Sequence, residues 1–257
     1  MGLFQKRSFC VVTGASRGLG REIALQCSRE WSKEGVFCDM VLTARNRKAL
    51  EETRDIIMSQ SHGITVHIVT GDLNNMESLS TVCLEIMSFY DSSKHDQGVL
   101  VHNAATMNEF VPFLSQIDPF KIQSFLNTNV TSMIVLTTQF LSALNGDKHY
   151  VIHITANVAS QYSKWFTLYS VSKAARTAFM GSLKEELPDV RQLNYSPGPC
   201  DTDMLKELPP HVYSVDDLDD HQLRLLTAEE SISKMVGVLK KDEFENGCTI
   251  DFFDRKI

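Results

Sequence analysis

The sequence predicts an α/β fold in which about seven parallel strands form a doubly wound sheet with helices on both faces. Short runs of β-branched and aliphatic residues alternate with helix-length amphipathic segments along the chain, and this alternation is typical of βαβ crossover units. The 257 residues contain no Gly-, Ser- or Pro-rich linker and no internal repeat. We therefore expect residues 1–257 to form a single domain.

The first predicted strand leads into a glycine-rich turn. Residues 10–13 are apolar or β-branched, and a helix-compatible segment begins at about residue 18. Such a turn brings free backbone N–H groups and the positive end of a helix to one point, which suits a pyrophosphate. An ordinary tight turn is the alternative reading. Together with the strand pattern, the turn indicates a Rossmann-type nucleotide site that contains Gly14, Ser16, Arg17, Gly18, Leu19 and Gly20.

The second predicted strand, at residues 38–44, ends at Arg45 and Asn46. In nucleotide-binding βαβ units the end of this strand faces the adenosine ribose, where an acidic residue favours NAD(H) and an arginine favours the 2′-phosphate of NADP(H). Because Arg17 and Arg45 can bracket one phosphate, the sequence predicts NADP(H). The alternative is that Arg45 is a solvated residue at the start of a helix.

The third and fourth strands supply further cofactor candidates. A strand at residues 64–69 is closed by Asp72 and Leu73, and Asp72 either binds the adenine amino group or caps the next helix. A buried-type strand at residues 98–102 is followed by Asn103.

Two later strands complete the predicted sheet around a loop. A strand at residues 190–195 runs into Pro197 and Gly198, which forbid helix. Ligands bind at the carboxyl ends of strands in open α/β sheets, so this loop is expected to border the nicotinamide. A last strand lies at residues 247–253, after a helix at 227–241.

A long helix is predicted over residues 120–143, with Asn127 and Asn129 in its middle. Asparagine is a poor residue for a helix interior, so its presence there needs a reason. A polar residue on a solvated helix face is one explanation, and a functional role is the other.

The segment after the strand at residues 150–155 carries the clearest chemical pattern. Tyr169 and Lys173 are four residues apart in a helical stretch and share one face. An ammonium beside a phenol favours the phenolate, so we expect the pKa of Tyr169 to fall below its ordinary value of about 10. Tyr169 is then a proton donor to a carbonyl oxygen near neutral pH.

The amino-acid composition limits the kinds of partner that this protein is expected to bind. The formal net charge of −7 argues against nucleic acid or an anionic membrane surface. The sequence has no signal-peptide pattern and no apolar run of about 18 residues, so we expect a cytoplasmic protein without a membrane partner. The six cysteines are scattered without a C-x-x-C pair, which favours free buried thiols and no bound metal.

Two further features of the sequence each allow a structural and a functional interpretation. Residues 208–220 contain two prolines and four aspartates, and they form either a mobile flap or ordinary surface. The helices at 120–143 and 165–186 carry apolar residues for core packing or for a dimer contact: Phe125, Met133, Leu136, Phe140, Val171, Ala175 and Phe179.

These motifs together resemble the short-chain dehydrogenase/reductase family. The glycine turn at residues 13–20, Asp72 with Leu73, Asn129 and the Tyr169/Lys173 pair stand where that family has its cofactor and catalytic residues. The likeness covers essentially the whole chain. More narrowly, the chain resembles a branch of the family that reduces pterin side-chain ketones, and this likeness is specific in the C-terminal half. The similar segments are 42–46, 129–133, 194–204, 241–244 and 250–254.

The resemblance implies an NADPH-dependent carbonyl reductase of tetrahydrobiopterin synthesis that works as a cytosolic homodimer. It implies that Tyr169 donates the proton, that Lys173 holds the ribose, and that Asn129 supports a water relay to Lys173. It also implies that Asp251 anchors the guanidine-like edge of a pterin, which a carboxylate can bind through two hydrogen bonds.

Two positions depart from the family pattern. Ala105 replaces a glycine and adds a methyl group beside the cofactor. Ala156 stands 13 residues before Tyr169, where the family has a serine that donates to the substrate oxygen. Loss of such a donor costs about 10²–10³ in rate. Thr155, Asn157 or Ser160 can replace it, although alternation along a strand turns Thr155 away by default.

Three functions remain open from the sequence. The first is the pterin carbonyl reductase, and the second is a reductase of another carbonyl, such as a dicarbonyl, in which Asp251 is structural. The third is an NADP-binding regulatory protein with weakened catalysis, which Ala156 favours.

Overall fold

The computed structural model describes residues 2–107, 118–145, 148–159, 165–208 and 225–254. Its centre is a seven-stranded sheet with the order β3-β2-β1-β4-β5-β6-β7, and every neighbouring pair of strands is parallel. The predicted doubly wound α/β fold is therefore confirmed. The strands are β1 (Ser8–Thr13), β2 (Cys38–Ala44), β3 (Ile64–Thr70), β4 (Gln97–His102), β5 (Tyr150–Ile154), β6 (Arg191–Ser196) and β7 (Thr249–Asp251).

Helices cover both faces of this sheet. They are α1 (Gly18–Lys33), α2 (Arg47–Gln60), α3 (Met76–Met87), α4 (Pro119–Leu126), α5 (Ser132–Ala143), α6 (Thr167–Glu186), α7 (Asp203–Lys206) and α8 (Ala228–Lys241). Helices α1, α2 and α8 share one apolar cluster with alternate strand residues such as Val12 and Val101. Helices α3 and α5 pack on the opposite face against Val11 and Leu100, so the strands are buried on both sides, as parallel strands require.

The predicted helix over residues 120–143 is interrupted. A π-helical turn at Asn127–Thr131 separates α4 from α5, and Asn129 is only 1% exposed. The explanation of Asn129 as a polar residue on a solvated face is therefore wrong. Short π segments inside helices are frequent at functional sites.

The carboxyl ends of the strands meet at one edge of the sheet. Strand β1 lies in the middle, and the chain runs outward from it in one direction through β2 and in the other through β4. The crevice at such a reversal is where open α/β sheets bind ligands. The glycine turn after β1 and the end of β4 are therefore expected to frame the site.

The thiols and surfaces agree in part with the sequence predictions. All six cysteines are free, and five of them are buried, with Cys248 partly exposed. None of the helices in the described ranges is long and apolar enough to cross a membrane. Within the same ranges, no group of three or more His, Cys, Asp or Glu side chains is arranged to hold a metal ion.

The apolar residues proposed for a dimer contact divide into two groups. Phe125, Met133, Leu136 and Phe140 are at most 4% exposed in the isolated chain, so their core-packing interpretation is the right one. By contrast, Val171 is 51% exposed. Two apolar residues that the sequence analysis did not list for a dimer contact are also exposed: Ile134 at 37% and Phe120 at 84%.

A substitution at Gly20 tests the packing of the glycine turn. A Cβ at this position would collide with the carbonyl of Gly14 and the amide nitrogen of Asn103. Gly20→Ala is therefore expected to lower the free energy of unfolding by about 1–3 kcal/mol. Gly237 in α8 is the matched control, because a Cβ there meets no atom within 4 Å.

Gly237→Ala is expected to raise the free energy of unfolding by up to about 1 kcal/mol, through helix propensity alone. Urea unfolding of the two variants measures both changes. A stabilising effect of Gly20→Ala would contradict the packing described for the turn.

Candidate active site

A cavity of about 970 Å³ opens at the carboxyl edge of the sheet. Its wall includes most of the residues predicted to bind cofactor or substrate: Gly14, Ser16, Arg17, Gly18, Leu19, Arg45, Asn46, Asp72, Leu73, Asn103, Thr155, Tyr169, Lys173, Pro197 and Gly198. Gly20, Asn129 and Asp251 are absent from this wall. The structure thus brings residues from distant parts of the sequence to one enclosed space.

Asn103 joins the end of β4 to the glycine turn. Its side-chain amide donates to the carbonyl oxygens of Thr13 at 3.0 Å and Gly14 at 3.3 Å. The backbone N–H groups of Asn103 and Ala104 both donate to the Thr13 hydroxyl at 3.0 Å. Gly14 adopts a φ of +67°, a left-handed conformation that glycine reaches without a steric penalty. Asn103 therefore fixes the glycine turn through hydrogen bonds. Gly20, which has no Cβ, allows the Gly14 carbonyl and the Asn103 side chain to approach the start of α1 closely.

Arg17 and Arg45 differ in whether they form ion pairs within the described residues. Arg17 is paired with Asp203 at 2.9 Å and Glu207 at 3.2 Å, so its charge is already compensated from the α7 side of the cavity. Arg45 is exposed on the wall and makes no polar contact with any residue in the described ranges. Of the two arginines predicted to bind a 2′-phosphate, only Arg45 therefore has no ion-pair partner among the described residues.

Asn46 and Asp72 have local structural partners as well as a place in the wall. The Asn46 side chain caps α2 by accepting from the Ala49 N–H at 3.1 Å. The Asp72 carboxylate accepts from the Asn74 N–H at 3.0 Å, whereas Asn75 is the residue that caps α3. The prediction that Asp72 caps this helix is therefore wrong, and its carboxylate stabilises the turn before it.

Tyr169 and Lys173 lie side by side on α6. The Lys173 Nζ is 5.4 Å from the centroid of the Tyr169 ring and donates to the carbonyl oxygen of Ile154 at 2.7 Å. Both residues line the cavity, and Lys173 is only 2% exposed. The predicted juxtaposition of phenol and amine at the nucleotide cleft is present in the structure.

The predicted direction of the tyrosine pKa is wrong. Burial raises the pKa of Tyr169 to about 12, and the opposing charge that lowers it comes from Arg176. Burial also lowers the pKa of Lys173 well below its usual range, with Arg176 as the second cause. Burial therefore acts against the charged form of each of these two groups.

Asn129 is tied to the backbone of Thr106. Its side-chain oxygen accepts from the Thr106 N–H at 2.9 Å, and its side-chain nitrogen donates to the Thr106 carbonyl at 3.1 Å. The side chain thus holds the segment after β4, which forms part of the cavity wall. Among the described residues it makes no direct hydrogen bond with Lys173, and its part in a water relay stays a prediction.

The residues near Ala156 that could replace the missing serine as hydrogen-bond donor differ in their hydrogen-bond partners. Ala156 lines the cavity, whereas the Thr155 hydroxyl is buried and has no hydrogen-bond partner among the residues that the structure describes. Asn157 Oδ1 accepts from the Ser196 hydroxyl at 3.0 Å, and Ser196, which the sequence did not single out, also lines the cavity. Ser160 lies outside the described residues.

Asp251 lies at the end of β7, next to the cavity rather than in its wall. Its Oδ1 accepts from the Phe253 N–H at 2.9 Å, and its Oδ2 is buried without a partner in the described part of the chain. Phe253 itself lines the cavity. Of the predicted flap at 208–220, only Leu208 is among the described residues, and it is a buried part of the same wall.

Apolar side chains dominate the side of the cavity beyond Tyr169. Four phenylalanines contribute from α4, from the start of α6 and from the C-terminal segment: Phe120, Phe125, Phe166 and Phe253. Aromatic walls of this kind suit a flat or apolar organic ligand.

Arg176 is a buried residue to which the sequence pattern assigned no role. Its guanidinium is 2% exposed and donates to the carbonyl oxygens of Ala104 and His102, each at 3.1 Å. The signal was its spacing, because residues three and seven positions after Lys173 and Tyr169 fall on the same helix face.

Comparison with known proteins agrees with this arrangement. A family model described as short chain dehydrogenase matches residues 8–212. Sepiapterin reductase of Rattus norvegicus is 30% identical to this chain, with 95% of the chain and 96% of the relative covered. Sepiapterin reductase of Mus musculus is 31% identical with the same coverage.

A solved short chain dehydrogenase of Shigella flexneri, complexed with NADP, has a similar fold. Its TM-score is 0.78 at 23% identity, with 96% of this chain and 97% of that chain covered. The family match and the two relatives extend over most of the sequence, including the glycine turn and the Tyr169/Lys173 pair. The chain is therefore an oxidoreductase of the short-chain dehydrogenase/reductase family.

Proposed function

We propose that this protein is an NADPH-dependent carbonyl reductase. The observation that carries the proposal is the Tyr169–Lys173 pair in the wall of a cavity that also contains the glycine turn. The turn suits a pyrophosphate, because Gly14 and Ser16 line the cavity next to Gly18, where the positive end of α1 begins. When bound, the reduced nicotinamide supplies a hydride to the substrate carbon.

Tyr169 supplies the proton in this proposal. Its pKa of about 12 keeps the phenol protonated at neutral pH, which is the form that a proton donor needs. The carbonyl oxygen takes the tyrosine proton as the carbonyl carbon takes the hydride, and the product is an alcohol. Lys173, fixed by the Ile154 carbonyl, orients the nicotinamide ribose beside the phenol.

The cofactor preference rests on Arg45. Its guanidinium lacks a partner in the described residues and lines the cavity at the end of β2, where the adenosine ribose of a nucleotide lies in this fold. Arg17 is expected to contribute after it leaves Asp203 and Glu207, its ion-pair partners. The Shigella flexneri relative was solved with NADP, which is consistent with this choice.

Removing Arg45 tests this preference. Arg45→Ala is expected to weaken NADPH binding by about tenfold or more and to leave NADH binding nearly unchanged, since a charged hydrogen bond contributes roughly 1.5–3 kcal/mol. Arg47→Ala is the matched control, because Arg47 is paired with Glu51 and is absent from the cavity wall. Calorimetric titration measures both affinities, and an equal loss for the two nucleotides would count against NADP(H).

A pterin ketone is the substrate that we propose. The relatives named sepiapterin reductase resemble this chain across nearly its full length, and four phenylalanines give the cavity an apolar wall. Among the described residues, Asp251 Oδ2 is buried without a hydrogen-bond partner, and a carboxylate can bind the guanidine-like edge of a pterin through two hydrogen bonds.

A steady-state assay of NADPH oxidation with sepiapterin tests the function. Wild-type protein is expected to turn over, and Tyr169→Phe is expected to lower kcat by about 10²–10⁴, the usual contribution of a general acid. Tyr90→Phe is the matched control, because the Tyr90 hydroxyl contacts Asn145 away from the cavity. A Tyr169→Phe enzyme with wild-type kcat would contradict the proposed role.

Further arms of the same assay separate the alternatives. Asp251→Asn is expected to raise KM for sepiapterin by about tenfold, through loss of a charged hydrogen bond, and to leave KM for a simple dicarbonyl unchanged. An unchanged KM for sepiapterin favours a reductase of another carbonyl.

Ala156→Ser restores the missing donor and is expected to raise kcat, and Thr155→Val tests the adjacent hydroxyl. NADPH binding without turnover of any carbonyl favours the regulatory alternative that Ala156 suggests.

We also propose a cytoplasmic homodimer in which α5 and α6 form the contact. These helices pack together through Met133 and Met180, and Ile134 and Val171 stay exposed on them. Covering such apolar side chains favours association. Sedimentation velocity is expected to give a dimer for wild-type protein and a monomer for an Ile134→Glu/Val171→Glu variant, and a wild-type monomer would contradict this contact.

A further inference from the structure

Lys234 on α8 binds the turn at residues 251–254 through three backbone carbonyls. Its Nζ donates to the carbonyl oxygens of Asp251 at 3.2 Å, Phe252 at 2.6 Å and Asp254 at 2.5 Å. An ammonium group has three N–H donors, so these acceptors account for all of them. The same Nζ lies 5.7 Å from the centroid of the Phe252 ring, and the side chain is half-buried against the turn.

The 251–254 turn leaves the sheet at its edge. It follows β7, a strand of three residues that stands last in the sheet order. The Phe252 N–H donates to the Ser196 carbonyl at 2.9 Å, and the Asp251 N–H donates to the Asp254 carboxylate within the turn at 2.8 Å. Because a segment with few backbone hydrogen bonds opens locally at a low cost in free energy, the ties from Lys234 to α8 are needed to hold it.

The same turn places an aromatic ring in the cavity wall. Phe253 lines the cavity, and a Cβ built on Gly198 would lie only 3.1 Å from its ring, so the ring packs directly on the loop after β6. The Phe253 N–H is bound by the Asp251 carboxylate. A displacement of the turn would therefore move the ring and the carboxylate together.

We propose that Lys234 is a positioning residue for the substrate of this site, because it fixes the turn that carries Asp251 and Phe253. The inference rests on the proposed function, in which those two residues contact a flat, ring-bearing ketone. Such a ligand needs an aromatic wall and a carboxylate at fixed places, whereas a small dicarbonyl has no ring to place against them. Loss of the three hydrogen bonds therefore weakens binding of the ring-bearing substrate and leaves hydride transfer intact.

Two substitutions test the hydrogen bonds of Lys234. Lys234→Met keeps an unbranched side chain and removes all three donors, whereas Lys234→Arg keeps a positive charge and N–H donors. Lys240→Met is the matched control, because Lys240 lies on the same helix and binds Glu30 at 2.6 Å, away from the cavity wall. Amide hydrogen exchange of residues 249–254, followed by mass spectrometry of the full chain, measures how firmly the turn is held and needs no turnover.

Hydrogen exchange in this segment is expected to be about tenfold faster in Lys234→Met than in wild type. In the NADPH oxidation assay, KM for sepiapterin is expected to rise about tenfold in this variant, while kcat, KM for NADPH and KM for a small dicarbonyl stay within about twofold of wild type. Lys234→Arg is expected to recover most of both effects, and Lys240→Met is expected to match wild type in both measurements.

Any of four results would overturn this role of Lys234. They are wild-type hydrogen exchange in Lys234→Met, an unchanged KM for sepiapterin despite faster exchange, an equal rise in KM for sepiapterin, dicarbonyl and NADPH, and the same changes in Lys240→Met. Absence of carbonyl turnover in wild-type protein would instead overturn the proposed function, and with it the link to a substrate. The exchange comparison would then still decide whether Lys234 fixes the turn.

Discussion

The hydrogen bonds from Asn103 to the glycine turn are the contact on which the site depends. Parallel pairing brings the ends of β1 and β4 next to each other, and the Asn103 amide then closes the gap by donating to Thr13 and Gly14. Gly20 packs against the same amide, so the start of α1 is set by it as well. Arg176 holds Asn103 from the other side through the flanking carbonyls.

Burial and charge act in opposite directions on the pKa of Tyr169, and burial has the larger effect. Desolvation disfavours the phenolate and also disfavours the protonated Lys173 amine. Burial therefore favours the uncharged form of both groups that share this cavity wall. The phenol is kept in its proton-donating form, and Arg176 limits how far its pKa rises.

Much of the fold and part of the site could be predicted from sequence. Apolar runs gave the positions of the strands within one or two residues, and the spacing of Tyr169 and Lys173 gave their common helix face. The break at Asn127–Thr131 was not predictable, because it depends on the distant backbone of Thr106. The acidic partners of Arg17 and the burial of Arg176 are likewise tertiary properties that local patterns do not contain.

Deuterium transfer from C4-deuterated NADPH to sepiapterin in a single turnover tests whether this site delivers a hydride to a carbonyl carbon. Deuterium is expected on the carbinol carbon of the reduced side chain, as direct hydride delivery beside Tyr169 requires. Tight binding of the nucleotide without labelled product, from sepiapterin or from any dicarbonyl, would contradict it.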